Sequence, residues 1–381
     1  MGKGIFMKEL TRRQRIMRIF NHEEYDRPAL KLWGAVPDPW LLHEAYAPVR
    51  ALALEISDIF SGAGAPFNIY CGANAGELVT RDVFPTESPL WNEAVTTYHT
   101  PLGDLTERFH ESTVMAPGYI TEYAVKDEAD LKKLLSLPYR PYAFDASAYF
   151  AEDALVGDRG ICMFHLDHAG YALQRMTGSE TLAVLSVDER PLVKEALEVY
   201  AGRVRSFAGQ AIDNGIRGVF GWVGPEVLIP PLMGYRDFEE FEFQVNRPLC
   251  DLIHSAGGHT WLHCHGKVAR LMGRFKEMGI DVLNPLEPPK NGDVSMEEIV
   301  KAHGNSIGLE GNIEIQDILQ SEKGVLEEKI RACVKAGAES GRFILCPSAG
   351  YMEYPEPDGR YIENLMTYLK CGYESVEGCR R

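Results

Sequence analysis

Residues 259–275 read "HTWLHCHGKVARLMGRF". The opening "HTWLHC" is a short, largely apolar run of strand length, and the stretch after Gly266 changes period. Val268, Leu271, Met272 and Phe275 fall at the i, i+3, i+4, i+7 spacing of one helix face. A strand passing directly into an amphipathic helix is half of a βαβ unit. The same succession recurs along the chain. "GICMFHL" (160–166) is followed by the helical "YALQRMTG", closed by Gly178. A long helical stretch over about 189–213 leads into "RGVFGWV" (217–223). After the opening stretch come "DVLNPLEP" (281–288), the helix "MEEIVKAHG" (296–304) and the strand "SIGLEG" (306–311). A helix with Leu326, Ile330, Cys333 and Val334 on one side follows, then the strand "RFILCPSAG" (342–350) and a last helix over 360–371. "PALKLWG" (28–34) and "EISDIF" (55–60) supply two earlier strands, which makes eight. Eight strands alternating with helices predict an α/β fold, a single (β/α)8 TIM barrel over 1–381. Residues 62–158 break the rhythm with the hairpin pattern "TYHTPLGDLTERF" and the Pro-rich "SLPYRPYAFD", so this span reads as an insertion or lid in the N-terminal half.

Composition narrows the function classes. The formal charge of −16 repels a phosphate backbone, so no nucleic-acid partner is expected. No run reaches the ~18–20 apolar residues of a membrane span, and the N-terminus lacks the pattern of a signal peptide. The expectation is a cytoplasmic protein without membrane attachment. Eight cysteines occur without a C-x-x-C pair and read as reduced thiols.

In a TIM barrel, chemistry sits at the C-terminal ends of the strands. Those ends carry Asp58, His165, Asp167, Trp222, Glu226, His263, His265, Asn284, Glu287, Glu310, Asn312, Cys346 and Tyr351. So many polar groups at one mouth predict a catalytic pocket. His263, His265, Glu310 and Glu226 are the candidate catalytic groups. Asp58, His165, Asp167, Trp222, Asn284, Asn312 and Tyr351 are the candidate substrate-binding groups. In a strand, positions i and i+2 share a face, so His263 and His265 project together while Cys264 faces the helices. Two imidazoles on one face suit Zn²⁺, with Cys346 or Glu310 as a third ligand. The plain alternative is a metal-free pair that binds an anion or anchors loops.

These motifs, taken in order, resemble the uroporphyrinogen decarboxylase superfamily, including its cobalamin-dependent methyltransferase branch. "RRQRIMRIFNHEEYDRPALKLWG" (12–34) is similar to the N-terminal helix, D-R-x-P turn and first strand. "YHTPLGDLTERF" (98–109) resembles a hairpin of the methyltransferase branch. "LHCHGKV", "DVLNPLEPP", "IGLEGNIEIQDIL" and "FILCPSAG" with "YIENLM" match the late strands and the final βα unit. The resemblance implies a TIM barrel that moves a methyl group between a small donor or acceptor and cobalamin on a partner corrinoid protein. Two departures bear on the branch. The arginine-rich segment that grips porphyrinogen carboxylates is replaced by "LWGAVPDPWLLHEAY" (32–46), without arginine, so uroporphyrinogen is not the expected substrate. The branch's H-x-C-G-N zinc motif here reads His263-x-His265-Gly266-Lys267, and its later Gly-Cys pair falls near Ala349, three residues beyond Cys346. A zinc site of His263, His265 and Cys346 is therefore an altered version of the family's. Two other functions stay open: a decarboxylase or lyase acting on a different substrate, and a non-enzymatic corrinoid or tetrapyrrole binding module.

Overall fold

The structure, a computed structural model, describes residues 9–37, 43–350 and 356–380. Strands β1 (Ala29–Leu30) and β2 (Ile59–Ala63) come first. An antiparallel sheet follows, made of β3 (Val79–Pro85), β4 (Trp91–Tyr98), β5 (Leu105–Ser112) and β6 (Tyr119–Glu122). Then come β7 (Gly160–His165), β8 (Val219–Val223), β9 (His259–His263), β10 (Val282–Leu286), β11 (Gly308–Ile313) and β12 (Phe343–Pro347). Eight of these strands are parallel and curl into one sheet of order β1-β12-β11-β10-β9-β8-β7-β2, with helices outside. This is the α/β barrel the alternation predicts. The strands are buried on both faces, which is why they read as continuous apolar runs rather than alternating ones.

Alternation sorts the strand side chains into two cores. Ala29, Phe60, Ile161, Met163, Val219, Trp261, Val282 and Ile344 form the inner cluster. The intervening residues, such as Phe164, Phe220, Leu262, Leu283, Leu309 and Leu345, pack outward into the larger core shared with the helices. The inner cluster is closed at the N-terminal ends of the strands by helix α1 (Arg12–Phe20). Thr11 and Gln14 form its capping box, and Ile16, Ile19 and Phe20 turn into the barrel. The Phe20 ring lies 5.8 Å from that of His259 at the start of β9. One end of the barrel is thus plugged by apolar packing, and the polar inward residues collect at the other.

The segment "EISDIF" divides differently from the reading above. Helix α2 (Ala47–Ile56) takes up Glu55 and Ile56, and the strand begins only at Ile59. Asp58 therefore lies before β2, at the plugged end, and not at the mouth. Its carboxylate accepts from Arg15 Nη1 at 2.7 Å, from Arg27 Nη1 at 3.2 Å and from the Leu30 N–H at 2.8 Å. The Asp58 N–H in turn donates to the Leu30 carbonyl at 2.7 Å. These two bonds join β2 to β1 across the seam of the sheet. Asp58 is a structural anion that completes the barrel wall.

The β3–β6 sheet lies in the chain between β2 and β7. Its near end is anchored by Tyr98 and Leu105, which join the main core, while Val83 and Phe84 stand exposed at the far end. Replacing Asp58 with alanine would remove the anion that Arg15 and Arg27 share, leaving Arg15 with Asp26 and Arg27 with Glu377, and would break the bond to the Leu30 N–H. Asp58→Ala is expected to cost about 3–5 kcal/mol of unfolding free energy, measured by urea denaturation; a loss below about 1 kcal/mol would show that the seam does not rest on this residue.

Candidate active site

The polar inward residues form one continuous hydrogen-bonded chain. It begins at Lys31, just past β1, whose ammonium reaches Glu310 Oε1 at 2.6 Å. Both side chains are almost fully buried, at 2% and 0% exposure. Trp261 Nε1 donates to Glu310 Oε2 at 2.7 Å, and Asn284 Nδ2 donates to Oε1 at 2.8 Å. Lys31 Nζ also sits 4.1 Å from the ring centroid of Trp33 and 4.7 Å from those of Trp261 and Phe60, a cation–π cage that compensates part of its lost hydration.

The network fixes the histidine tautomers step by step. Because Asn284 spends its amide N–H on Glu310, its Oδ1 is left as an acceptor, and it lies 2.6 Å from His263 Nδ1. His263 must then carry a proton on Nδ1. Its other nitrogen, Nε2, lies 2.9 Å from Nε2 of His265, while His265 Nδ1 lies 3.0 Å from Glu287 Oε1. Glu287 also accepts the Gly266 N–H at 2.9 Å, as a carboxylate does. One proton is shared between the two Nε2 atoms, and His265, beside the Glu287 carboxylate, is the ring better placed to donate it, with His263 as the acceptor.

Local electrostatics point the same way. Burial and the neighbouring His265 charge bring the His263 pKa down to about 4. Burial also works against a charged His265, but the hydrogen bond to Glu287 and the charges of Glu287, Glu226 and Glu314 outweigh it and raise its pKa above the ordinary value. Burial would raise the Glu287 carboxyl, yet the His265 and Gly266 donors hold it below the usual range. Glu226, just past β8, is raised by burial, and its Oε2 has no hydrogen-bond partner among the described residues.

Beside this chain opens a cavity of about 470 Å³. Trp33, Met163, His165, Leu166, Val223, Trp261 and His263 wall it, with Gly221 at its side. The His263 ring lies nearly parallel to Trp261, at 5.9 Å and 28°, and edge-on to Trp33 at 5.7 Å. A recess of about 290 Å³ adjoins through Leu166 and Val223 and holds Asp167 with Tyr70 and Arg175.

Of the residues singled out from sequence, His263, His265, Asn284 and Glu310 come together in one network, and His165 and His263 line the cavity. Cys264 is fully buried in the helix-facing core, as alternation requires. Several expectations are corrected. Trp222 borders the cavity but belongs to the same outward core as Phe220 and Leu262, because it alternates with the inward Gly221. Asn312 lines a different cleft of about 600 Å³ with Glu314 and Cys333, and its N–H donates to Cys333 Sγ on an outer helix. Glu310 is no free acid: removing its charge would strand the buried Lys31 ammonium, so fold and chemistry cannot be separated at this position. Tyr351 lies outside the described residues. Lys31, Trp33 and Met163 were not singled out from sequence. A lone lysine at an inward strand position, in "PALKLWG", is the signal that marks Lys31.

The zinc set is not assembled either. Among the described residues no group of three His, Cys, Asp or Glu side chains is arranged to hold a metal. Cys346 is fully buried, lies by Glu310 and Asn284, and has its thiol pKa pushed up by burial. The paired Nε2 atoms, 2.9 Å apart, are closer than the about 3.3 Å that two nitrogens on one tetrahedral zinc would show. The space between the imidazoles fits a proton, and the expected donors do not fit zinc.

Residues 167–358, just over half of the chain, match the model of the uroporphyrinogen decarboxylase (URO-D) family. The chain belongs to the uroporphyrinogen decarboxylase family. Among solved structures it is similar to a methyltransferase from Methanosarcina mazei, at 14% identity and a TM-score of 0.58 over 95% of this chain and 99% of that one. A D-psicose 3-epimerase from Clostridium cellulolyticum H10 overlaps less, with a TM-score of 0.36 at 10% identity over 61% of this chain and 85% of that one. No curated protein matches the chain. Within this URO-D barrel the matched region carries the two histidines, Asn284, Glu287 and Glu310, whereas Lys31 and Trp33 come from outside it.

Two titrations should separate the histidines. In ring-proton NMR, His265 should titrate above its ordinary value of about 6.5 and His263 only near pH 4. Because the folded pKa of His265 is raised, its contribution to stability is complete below about pH 6.5 and is lost as pH rises through the folded value. His263 has the opposite sign, and stability falls as pH drops from about 6.5 toward 4. Glu287→Gln should bring the His265 titration down; an unmoved titration would break the assignment. Metal analysis of the purified protein should find well under one zinc per chain, and a stoichiometric zinc released by His265→Ala would overturn the proton reading of this pair.

Proposed function

We propose that the protein is a methyltransferase that moves a methyl group between a small-molecule substrate and a corrinoid (cobalamin) carried by a partner protein. The observation that carries this reading is the His263–His265 pair, which holds one proton beside a mostly apolar cavity at the C-terminal ends of the barrel strands. Family membership and the resemblance of the sequence motifs to the methyltransferase branch support it.

The corrinoid supplies the centre that accepts or gives the methyl group. The residues of this chain do the rest. When a methyl group leaves an oxygen, nitrogen or sulfur atom, that atom keeps the bonding electron pair and needs a proton to become a stable product. His265, held as an imidazolium by Glu287, stores that proton on Nε2, and the leaving atom takes it where it displaces His263 Nε2 from that bond. In the reverse direction the same pair takes up the proton of the acceptor. Asn284 and Glu310 keep His263 in the tautomer whose Nε2 accepts from His265, so they act as positioning residues. The apolar walls exclude water, which would otherwise compete for the methyl group. Exposed Val223 at the end of β8, with Tyr171, Leu232 and Tyr235 on the segments that follow β7 and β8, offers an apolar rim on which a flat macrocycle can rest.

The test is methylation of cob(I)alamin, followed by its absorption spectrum, over a panel of methylated compounds. His263→Ala and His265→Ala should each lower the rate by about 100-fold or more with near-native melting curves, the scale of a lost general acid. Wild-type protein that binds a methylated compound but methylates no corrinoid would favour the binding-module reading. Turnover of a carboxylated substrate with release of CO₂ would favour the decarboxylase reading.

A further inference from the structure

The cleft of about 600 Å³ that Asn312 lines shares no residue with the cavity beside His263. Its walls are the loop after β10, the end of β11, the short helix Ile315–Gln320 and part of the helix Lys323–Ala338. The geometry points to a second ligand site here, one that takes a primary alkylammonium compound and pairs its ammonium with Glu314. This site requires nothing of the methyl-transfer reading.

Glu314 directly follows β11 and is only 8% exposed. Its Oε2 accepts from Asn291 Nδ2 at 3.1 Å and from Ser348 Oγ at 3.3 Å. Its Oε1 is buried and has no hydrogen-bond partner among the described residues. A buried carboxylate oxygen without a donor is costly, and here the residue stands in the wall of an open cleft from which a donor can come. The cations of the cleft do not supply one. Lys329 is held by Asp317, and Lys290 stands exposed on the loop with Glu297, of opposite sign, on the same segment. Burial and the charge of Glu287 both raise the Glu314 carboxyl above its ordinary range, a strain that a bound cation would relieve.

The rest of the cleft suits an ammonium that carries a carbon chain. Asn312, Gln316 and Gln320 bring amide oxygens able to accept the N–H groups that Glu314 leaves over. Val294, Met296, Ile313 and Ala332 provide apolar surface for the chain. The volume lies within the ~300–1,000 Å³ range of ligand pockets. An anionic ligand would instead meet the carboxylates of Glu297, Glu314 and Asp317. Glu314 is also one of the charges that favour a protonated His265, so an occupant of the cleft would draw on a carboxylate the histidine pair uses.

Isothermal titration calorimetry of the full chain with hexylamine, 1-hexanol and hexyltrimethylammonium tests the site. Hexylamine is an ammonium at neutral pH, hexanol is its uncharged counterpart, and the trimethyl compound keeps the charge without N–H donors. Wild-type protein should bind hexylammonium one to one, about tenfold or more tighter than either analogue, the scale of one charge-assisted hydrogen bond. Glu314→Gln should weaken hexylammonium by a similar factor and leave hexanol unchanged. Ala332→Trp, at an exposed helix position in the cleft wall, should abolish saturable binding by filling the space. Circular dichroism checks the fold of each variant, and if Glu314→Gln does not fold, Ala332→Trp decides. Absence of saturable hexylammonium binding, or equal binding of either analogue, would overturn the proposal. Unchanged binding in a folded variant would do the same, because it would place the amine elsewhere, the apolar cavity beside His263 included.

Discussion

The buried pair of Lys31 and Glu310 is the constraint on which the site depends. Taking an ammonium and a carboxylate out of water is costly, and their mutual attraction repays it only when the remaining hydrogen-bonding capacity is also used. Here Trp261 and Asn284 complete the carboxylate, and three aromatic rings surround the ammonium. The orientation of Asn284 follows from the charge on Glu310, the tautomer of His263 from Asn284, and the doubly protonated state of His265 from His263 and Glu287. One ion pair inside the barrel thus sets the proton inventory at its mouth.

The division of the barrel interior makes this arrangement tolerable. Below the ion pair, Ile16, Ile19 and Phe20 of α1 and the inner strand residues form one buried apolar cluster. Above it, the inward positions split between the polar side of Asn284, Glu310 and Cys346 and the apolar side of Met163, Gly221 and Val223. A substrate therefore meets a proton source on one flank and a dry wall on the other.

Much of this was legible in the sequence. Strand and helix periods gave the eight parallel strands, and alternation alone placed His263 and His265 together with Cys264 behind them. The missed features have a common physical cause. Asp58 was misplaced because a helix ended two residues before the strand began, and a short shift moves a side chain from mouth to plug. Asn312 and Trp222 depend on the local path of β11 and on which residues of β8 face inward, which one apolar run does not reveal. Lys31 has its partner 279 positions away, and nothing within "PALKLWG" indicates an anion waiting across the barrel. Cys346 is set beside the histidines in the sequence reading by its place at a strand end two strands further on, whereas its strand carries it to the layer of Glu310.

The seam has a consequence for how the protein is made. β1 has β12 as its parallel neighbour, and the carbonyl of Lys31 accepts from the Tyr368 hydroxyl, 337 residues later. A nascent chain leaving the ribosome can form α1 and the first βα units early, but its lysine has no wall to lie in until the last strand and helix emerge. Throughout synthesis a positive charge destined for the interior stays in water, and the apolar face of α1 waits for the barrel it will close. Formation of the wall and completion of the proton network then become a single late event, of the kind that non-local pairings make slow. A chain arrested before β12 would hold both histidines and still lack the pair that orders them.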